Sequence, residues 1–431
     1  MSKRNCVVSC PADTYSGYGA RSRDFVKALI KAKPDWDVKI LSQRWGNTRF
    51  GYLKDHKEDD LSSRIIPGLD TKPDVWVQIT IPNEFQAVGN FNIGVTAAVE
   101  TNLMHHSWVE GVNRMNLILA SSKHSRDVIK STQFEGRDKN TNQVVKVIKA
   151  ETPVEVLFEG VDIEKYDTKK VIKSEVTESL NSIKESFCYL LVGHWMQGDY
   201  GQDRKNVAYT IKSFLEHFKS KQNPPALILK CHTSTTSIMD RERILTKIDD
   251  IRKSIKGSRI PNIYLMHGEI SDEQINELYN HPKVKVMVSH TKGEGFGRPL
   301  LEFTTTGKPI IASGWSGHTD FLDPELSTLV GGTLQNVHSS AAVKDLILPE
   351  SSWFTPNDSD VIKAYKETFK KYKAKVTNAK KLRHRTLKTF TYDHMVVELE
   401  SILDKHVGSM PQQIKLTLPK LELPKLQKID G

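Results

Sequence analysis

Short apolar runs alternate along this chain with stretches in which apolar residues recur every three or four positions, and the alternation continues from residue 5 to about residue 390. Runs of four to eight β-branched and apolar residues bounded by polar turns read as strands, and the wider spacing reads as helices. In the first half the pattern predicts strands at 5–10, 37–43, 75–80, 92–99 and 117–121, with helices at about 20–33, 107–115 and 124–131. The polar segment 46–70 reads as loops beside a cleft. A second series predicts strands at 187–192, 226–230, 262–266, 284–289, 309–312 and 327–330. Its helices fall at about 206–219, 238–255, 272–280 and 299–306, and Ser271 with Gln274 forms a capping-box signature for the third. Strands that alternate with helices imply parallel sheets with crossover connections. The expectation is therefore an α/β protein of two Rossmann-like units, 1–165 and 185–390, joined by the charged stretch 161–184 and facing each other across a cleft. After Trp353 the pattern turns helical at 359–373, 378–388 and 393–406. The segment 391–431 reads as a helix followed by a tail that repeats an L-x-L-P-K unit. Pro411, Pro419 and Pro424 exclude a continuing helix there, which leaves an extended strap or a mobile tether.

Composition narrows this picture only in places. A length of 431 residues suits two or three domains. No run approaches the roughly 20 apolar residues of a membrane helix, and the start MSKRNCVVSC lacks a signal-peptide layout, so a cytoplasmic location is expected. Cys6, Cys10, Cys188 and Cys231 form no C-x-x-C pair, and three of them lie in apolar runs. They read as buried free thiols in a reducing compartment, with no metal site. The net charge of +10 is unevenly placed: Lys370, Lys371, Lys373, Lys375, Lys380, Lys381, Arg383, Arg385 and Lys388 follow one another with no acid between. A solvated helix face usually mixes signs, so this run is a candidate for holding a polyanion, against the alternative of an idle basic surface.

The chemistry concentrates in His290-Thr-Lys-Gly-Glu-Gly-Phe-Gly-Arg-Pro-Leu-Leu-Glu302, between the strand at 284–289 and a helix opening near Arg298. Gly293, Gly295 and Gly297 let backbone approach a ligand closely, and the amides at the helix start can meet phosphate. Glu294 and Glu302 flank that turn with seven residues between them. Carboxylates accept paired hydrogen bonds from vicinal hydroxyls, which suits a sugar on one side and a ribose on the other.

This string resembles the E-x7-E donor site of the retaining GT-B glycosyltransferases of family four, the group 1 glycosyltransferases. Gly307-Lys-Pro-Ile-Ile-Ala-Ser-Gly-Trp-Ser-Gly-His-Thr-Asp320 resembles that family's next strand and turn. Leu191-Val-Gly193 followed by Arg204-Lys205-Asn206 resembles its first strand of the C-terminal domain and the basic residues that meet the donor diphosphate. Met266-His-Gly-Glu-Ile270 resembles the base-holding loop, and Ser16-Gly17-Tyr18-Gly19 the N-terminal glycine-rich loop. Val99-Glu100-Thr101 through Trp108 and residues 157–162 resemble further segments, so the likeness runs in order over residues 5 to 400. It implies that Glu294 binds the transferred sugar and Glu302 the ribose, and that Lys205, helped by Arg204, neutralises the departing diphosphate. It further implies donor contacts at Gly17, Gly19, Gly193, His194, His267, Gly268, Ile270, Gly295, Phe296, Gly297, Arg298, Pro299, Leu300 and the backbone up to Leu301. Glu100 stands where many members carry a sugar-contacting His, and His105 and His106 stand where a related branch has prolines.

The function implied is retaining transfer of a sugar from a nucleotide sugar, with UDP as the default nucleotide, without cofactor or metal. The acceptor stays open among a surface glycan, a protein, a small molecule and DNA carrying hydroxymethylated bases of the kind some bacteriophages make. The basic run points towards the polyanion. The competing readings are a GT-B body that binds a nucleotide sugar or polyanion without turnover and, less favoured, a GT-B epimerase.

Overall fold

A computed structural model describes residues 3–138, 141–233 and 236–408. The repeating L-x-L-P-K tail lies outside the described residues. In the first half, Arg4–Cys10 (β1), Trp36–Ser42 (β2), Val75–Ile79 (β3), Phe91–Thr96 (β4) and Leu117–Ala120 (β5) form the strands that periodicity predicts. Helices Gly17–Ala32 (α1), His106–Asn113 and Lys123–Ser131 lie between them. A short strand, Val154–Val156 (β6), completes a parallel sheet in the order β2-β1-β3-β4-β5-β6. The inner strands β1, β3, β4 and β5 are buried on both faces, as crossover helices require.

The second sheet comprises Cys188–His194 (β7), Ala226–His232 (β8), Ile263–Met266 (β9), Val284–Ser289 (β10), Ile310–Ser313 (β11) and Thr328–Val330 (β12), ordered β9-β8-β7-β10-β11-β12 and parallel throughout. Its helices are Val207–Phe218 (α2), Ile238–Ser254 (α3), Asp272–Asn280 (α4) and Arg298–Thr304 (α5). The capping box forms as expected, with Ser271 and Gln274 each bonded to the other's backbone N–H. Two such sheets, each reversing its strand order beside its first strand, give the GT-B architecture.

Asp358–Lys370 (α6) and Tyr372–Thr389 (α7) stay with the second domain, and Tyr392–His406 (α8) crosses back. Met395, Leu399, Ile402, Leu403 and Val407 join the core of the first domain against α1. The chain therefore passes between domains twice, and the passages bond to each other: the Val161 N–H donates to Phe390 O and the Tyr392 N–H to Val161 O, each at 2.9 Å. Buried Arg21 braces the first passage by donating to Leu157 O at 2.6 Å and Phe158 O at 3.0 Å.

Several elements depart from the periodicity reading. Residues 46–70 contain two short helices, Tyr52–Asp55 and Asp59–Ser63, and the stretch 161–184 contains Glu175–Asn181. Two antiparallel hairpins, Gln133–Arg137 with Val144–Lys149 and Gly332–Asn336 with Ser352–Pro356, are not expected from the periodicity. Val144, Val145 and Val147 of the first hairpin are all exposed.

Candidate active site

The site forms where β7 and β10 end, at the edge of the sheet where open α/β sheets bind ligands. Beyond β7 the chain loops to Asp203-Arg204-Lys205-Asn206 and enters α2. Buried Asp203 accepts from the Val207 N–H at 3.1 Å, and Asn206 takes a left-handed conformation, φ 53°. This turn aims both cations at Glu294. Lys205 Nζ lies 2.6 and 2.7 Å from the two Glu294 carboxylate oxygens. Arg204 Nη1 lies 3.5 Å from both Glu294 Oε2 and Glu100 Oε1, and donates to Gly293 O at 2.9 Å. Glu294 donates its own N–H to Ser316 Oγ at 2.9 Å. Burial would raise the Glu294 pKa, but Lys205 and Arg204 override it and hold the carboxyl at about 2. The structure thus brings together Glu294, Lys205, Arg204 and Glu100, three of them on one domain and Glu100 on the other.

Glu302 sits one turn into α5 in a different environment. Burial pushes its carboxyl up to about 7, against the lowering effect of Arg298. Tyr279 Oη donates to Glu302 Oε2 at 3.3 Å, and Arg298 Nε is 3.7 Å from Oε1. The same Arg298 reaches Asp24 Oδ2 of α1 at 2.6 Å and Glu159 Oε2 of the crossing segment at 3.4 Å. It is therefore an ionic bridge between the domains.

The glycines divide. An added Cβ at Gly293 would lie 1.9 Å from Glu100 O, and one at Gly295 would lie 2.4 Å from Ala97 O. What these two positions admit is the backbone of the opposite domain, where the sequence suggested a ligand. Gly297 needs its freedom for a left-handed φ of +100° ahead of α5. Gly17 faces open space, while Gly19 is packed against Thr14 O. Phe296 and Leu300 are core residues, so only their backbone can serve a ligand; Pro299 occupies the first turn of α5. Gly193 is lined by the Lys205 stem. His194 rests on His232 with centroids 4.2 Å apart, and burial, then that second ring, depresses its pKa to about 3. His267 is tied to Asp240 at 2.9 Å, which makes it a support for its loop. His105 caps its helix at Ser107 and lies 3.5 Å from Asp345, with the His106 ring 4.0 Å away.

Between the domains lies a cavity of about 420 Å³ running from Arg298 and Glu302 to Glu269, Ile270 and Asp272. Lys230, at the end of β8, reaches into it and donates to Gly268 O at 2.5 Å. Sequence reasoning missed Lys230, although its place at a strand's C-terminal end was a usable signal. It also missed Asp24, Glu159, Tyr279 and Ser316, whose places come only from tertiary folding.

Residues 247–349 match the model of the family described as glycosyl transferases group 1, a span that holds both Glu294 and Glu302. That span is similar to the group 1 glycosyltransferase domain. The chain's enzyme class is accordingly glycosyltransferase, and its fold is GT-B. A glycosyltransferase from Rickettsia africae superposes with a TM-score of 0.64 at 12% identity, over 95% of this chain and 100% of that one. Sucrose-phosphate synthase from Thermosynechococcus elongatus gives 0.60 at 11%, over 95% and 100%. The Anabaena protein HepE, solved with UDP-glucose, gives 0.58 at 12%, over 93% and 99%. At these identities the structural likenesses establish the fold. A search of curated proteins by sequence found no match. No helix among the described residues is long and apolar enough to cross a membrane.

Proposed function

We propose that the protein transfers a sugar from a UDP-sugar to an acceptor hydroxyl with retention of anomeric configuration. The observation that carries this reading is the clamp of Lys205 and Arg204 on buried Glu294, with Glu302 eight positions further on. A diphosphate entering the cleft gives the two cations a stronger partner and releases the Glu294 carboxylate to accept from sugar hydroxyls. In transfer, the bond from the anomeric carbon to the phosphate oxygen breaks, and the acceptor oxygen bonds to that carbon on the same face. The acceptor's proton passes to the departing phosphate. Positive charge grows on the sugar near Glu294 and negative charge on the diphosphate near Lys205 and Arg204. Preorganised groups of this kind contribute roughly 3 kcal/mol each to the transition state. The two cations perform the neutralisation for which other enzymes recruit a divalent ion, so the reaction is read as metal-independent. Four buried free cysteines fit a cytoplasmic protein.

The acceptor is read as a glycan or small-molecule hydroxyl in preference to DNA. Lys370, Lys371 and Lys373 line a separate cavity beside Phe187, at the start of β7, whereas Lys205 packs on Gly193 near its end. Seven strand residues at ~3.3 Å each put roughly 20 Å between the two places. Other members of the basic run have structural partners: Arg383 donates to Thr305 O, Arg385 pairs with Asp323, and Lys375 donates to Thr328 Oγ1. The test is a product assay with a panel of nucleotide sugars and acceptors, followed by mass spectrometry. Binding of UDP-sugars with neither transfer nor donor hydrolysis would favour a binding protein.

A further inference from the structure

At the end of the second sheet remote from the cleft lies a groove of about 1040 Å³. The segment leading into β7, the 222–225 loop and the junction of α6 with α7 form its walls. Its floor is aromatic. Phe187 meets Phe369 edge-on with centroids 4.9 Å apart and Tyr372 at 5.2 Å, and all three rings are half-buried. Its rim is cationic, made by Lys184, Lys370, Lys371 and Lys373. The one acid among the described lining residues, Glu185, is already engaged, accepting from Asn262 Nδ2 at 2.7 Å and from Tyr264 Oη at 2.9 Å.

Three further lysines stand beside the groove. Lys221 Nζ lies 5.7 Å over the Phe369 ring and Lys285 Nζ 5.8 Å over the Tyr372 ring. Lys366 and Lys370 are close enough to Lys221 that, after burial, their charges depress its pKa. None of these lysines has a carboxylate within ion-pair distance among the described residues. Lys375, Arg383 and Arg385 do have partners, so the basic run divides, and its first part faces the groove unpaired. α6 extends the same surface. Ile362, Lys366, Phe369 and Lys370 recur at intervals of three and four and share one face, while Val361, Ala364, Tyr365 and Thr368 turn inward. Ile362 is 47% exposed, and Lys366 and Lys370 are exposed beside it. A basic helix face that carries large apolar side chains has the composition of segments that lie in a membrane interface.

We propose that this surface docks the protein on an anionic lipid bilayer, with the unpaired lysines around phospholipid headgroups and Ile362 at the acyl boundary. Charge complementarity selects the partner: a neutral surface offers these lysines nothing, whereas each lysine near an anionic bilayer raises binding about fivefold. Single-stranded nucleic acid is the other polyanion to weigh, and it needs ring faces on which bases stack. Here Lys221 and Lys285 stand over the faces of Phe369 and Tyr372, and Phe187 packs against both rings, which leaves little face for a base. Docking at this end holds the cleft roughly 20 Å from the lipid, open to solution. The attachment is independent of which nucleotide sugar the cleft takes.

The experiment is co-sedimentation of the full chain with vesicles of phosphatidylcholine, alone and with about one-third phosphatidylglycerol, at low and high salt. A single-stranded oligothymidylate is the second probe. Wild type should bind the anionic vesicles about tenfold or more tightly than the neutral ones at low salt, and high salt should release it. Lys366, Lys370, Lys371 and Lys373 are all exposed, and changing them together to Gln should weaken vesicle binding about 100-fold or more. Removing the same charge from the first domain, at the exposed Lys72, Lys130, Lys146 and Lys149, should change it by no more than about threefold. Ile362→Ser should weaken vesicle binding about threefold or more and leave oligothymidylate binding unchanged. Failure of wild type to bind anionic vesicles at low salt, or equal losses in the two four-lysine variants, overturns the proposal. So does unchanged vesicle binding by Ile362→Ser together with tight oligothymidylate binding that the Lys366, Lys370, Lys371 and Lys373 variant loses, the pattern of a nucleic-acid site.

Discussion

Replacing Glu294 by Gln keeps the side chain's shape and removes its charge, and the structure says what that charge is worth without ligand. The carboxyl is held at about 2 against an ordinary 4.5, because Lys205 at 2.6 Å and Arg204 at 3.5 Å outweigh burial. A carboxyl displaced that far favours the folded state by about 3 kcal/mol at neutral pH. The folded value is the depressed one, so this contribution is complete above about pH 4.5 and is lost as pH falls towards 2. Glu294→Gln mimics the protonated state and leaves the half-buried Lys205 cation without its carboxylate partner, a loss of about 3 kcal/mol, the low end for a buried pair. Urea unfolding followed by tryptophan fluorescence should show the variant about 3 kcal/mol less stable at pH 7, with the gap at pH 3 less than half as large. A domain with ~5–15 kcal/mol of stability survives this. Turnover at pH 7 should fall ~100-fold or more, because the hydrogen bonds to the sugar tighten in the transition state. A variant as stable as wild type at pH 7 would refute the clamp, and a folded variant with near-normal turnover would remove Glu294 from the chemistry.

Lys205→Ala should weaken binding of UDP by roughly 1.5–3 kcal/mol in calorimetry, since a charge-assisted bond to phosphate is lost; equal affinity would place the phosphates elsewhere. Turnover should persist in EDTA, and loss restored by Mg²⁺ or Mn²⁺ would show that a metal shares the work of Lys205 and Arg204. Glu302 has a folded pKa raised to about 7, so its contribution destabilises the ligand-free protein increasingly as pH rises from 4.5 through 7. Glu302→Gln should therefore stabilise the empty protein at pH 8 while weakening UDP binding there, and it should flatten the rise in UDP affinity between pH 6 and 8. Changing Lys370, Lys371 and Lys373 together to Gln should leave turnover of a small acceptor within about twofold, because screened charges some 20 Å away act weakly; a large fall would bring the basic run back into acceptor binding.

How much of this was readable from sequence varies element by element. The twelve-strand framework declared itself nearly complete, since buried parallel strands such as 188–194 and 284–289 are continuous apolar runs between helical patterns. Only the edge strand Val154–Val156 escaped, because three residues carry no period. The hairpins escaped for another reason: each strand buries only a few side chains, such as Trp353 and Phe354 in the second hairpin, too few to set up an apolar period. Glu294, Glu302, Arg204 and Lys205 were legible as a spaced pattern, and the structure groups Glu294 with the two cations. Long-range proximity was not legible. Nothing in the sequence says that Arg298 meets Asp24, that Glu100 faces Arg204, or that α8 returns to the first core. Gly293 and Gly295 show the limit well: the pattern announced a close backbone approach, but only the fold shows that it is the opposite domain that approaches.

The central claim is that the Lys205–Glu294 cleft cleaves a nucleotide sugar for transfer. The most direct test is release of nucleoside diphosphate from a panel of nucleotide sugars, measured side by side for wild type and for folded Glu294→Gln. The account predicts release by wild type from at least one UDP-sugar, with loss of ~100-fold or more in the variant. Release by the variant at the wild-type rate, or no release from any UDP-sugar by a wild-type protein that binds UDP, would contradict it.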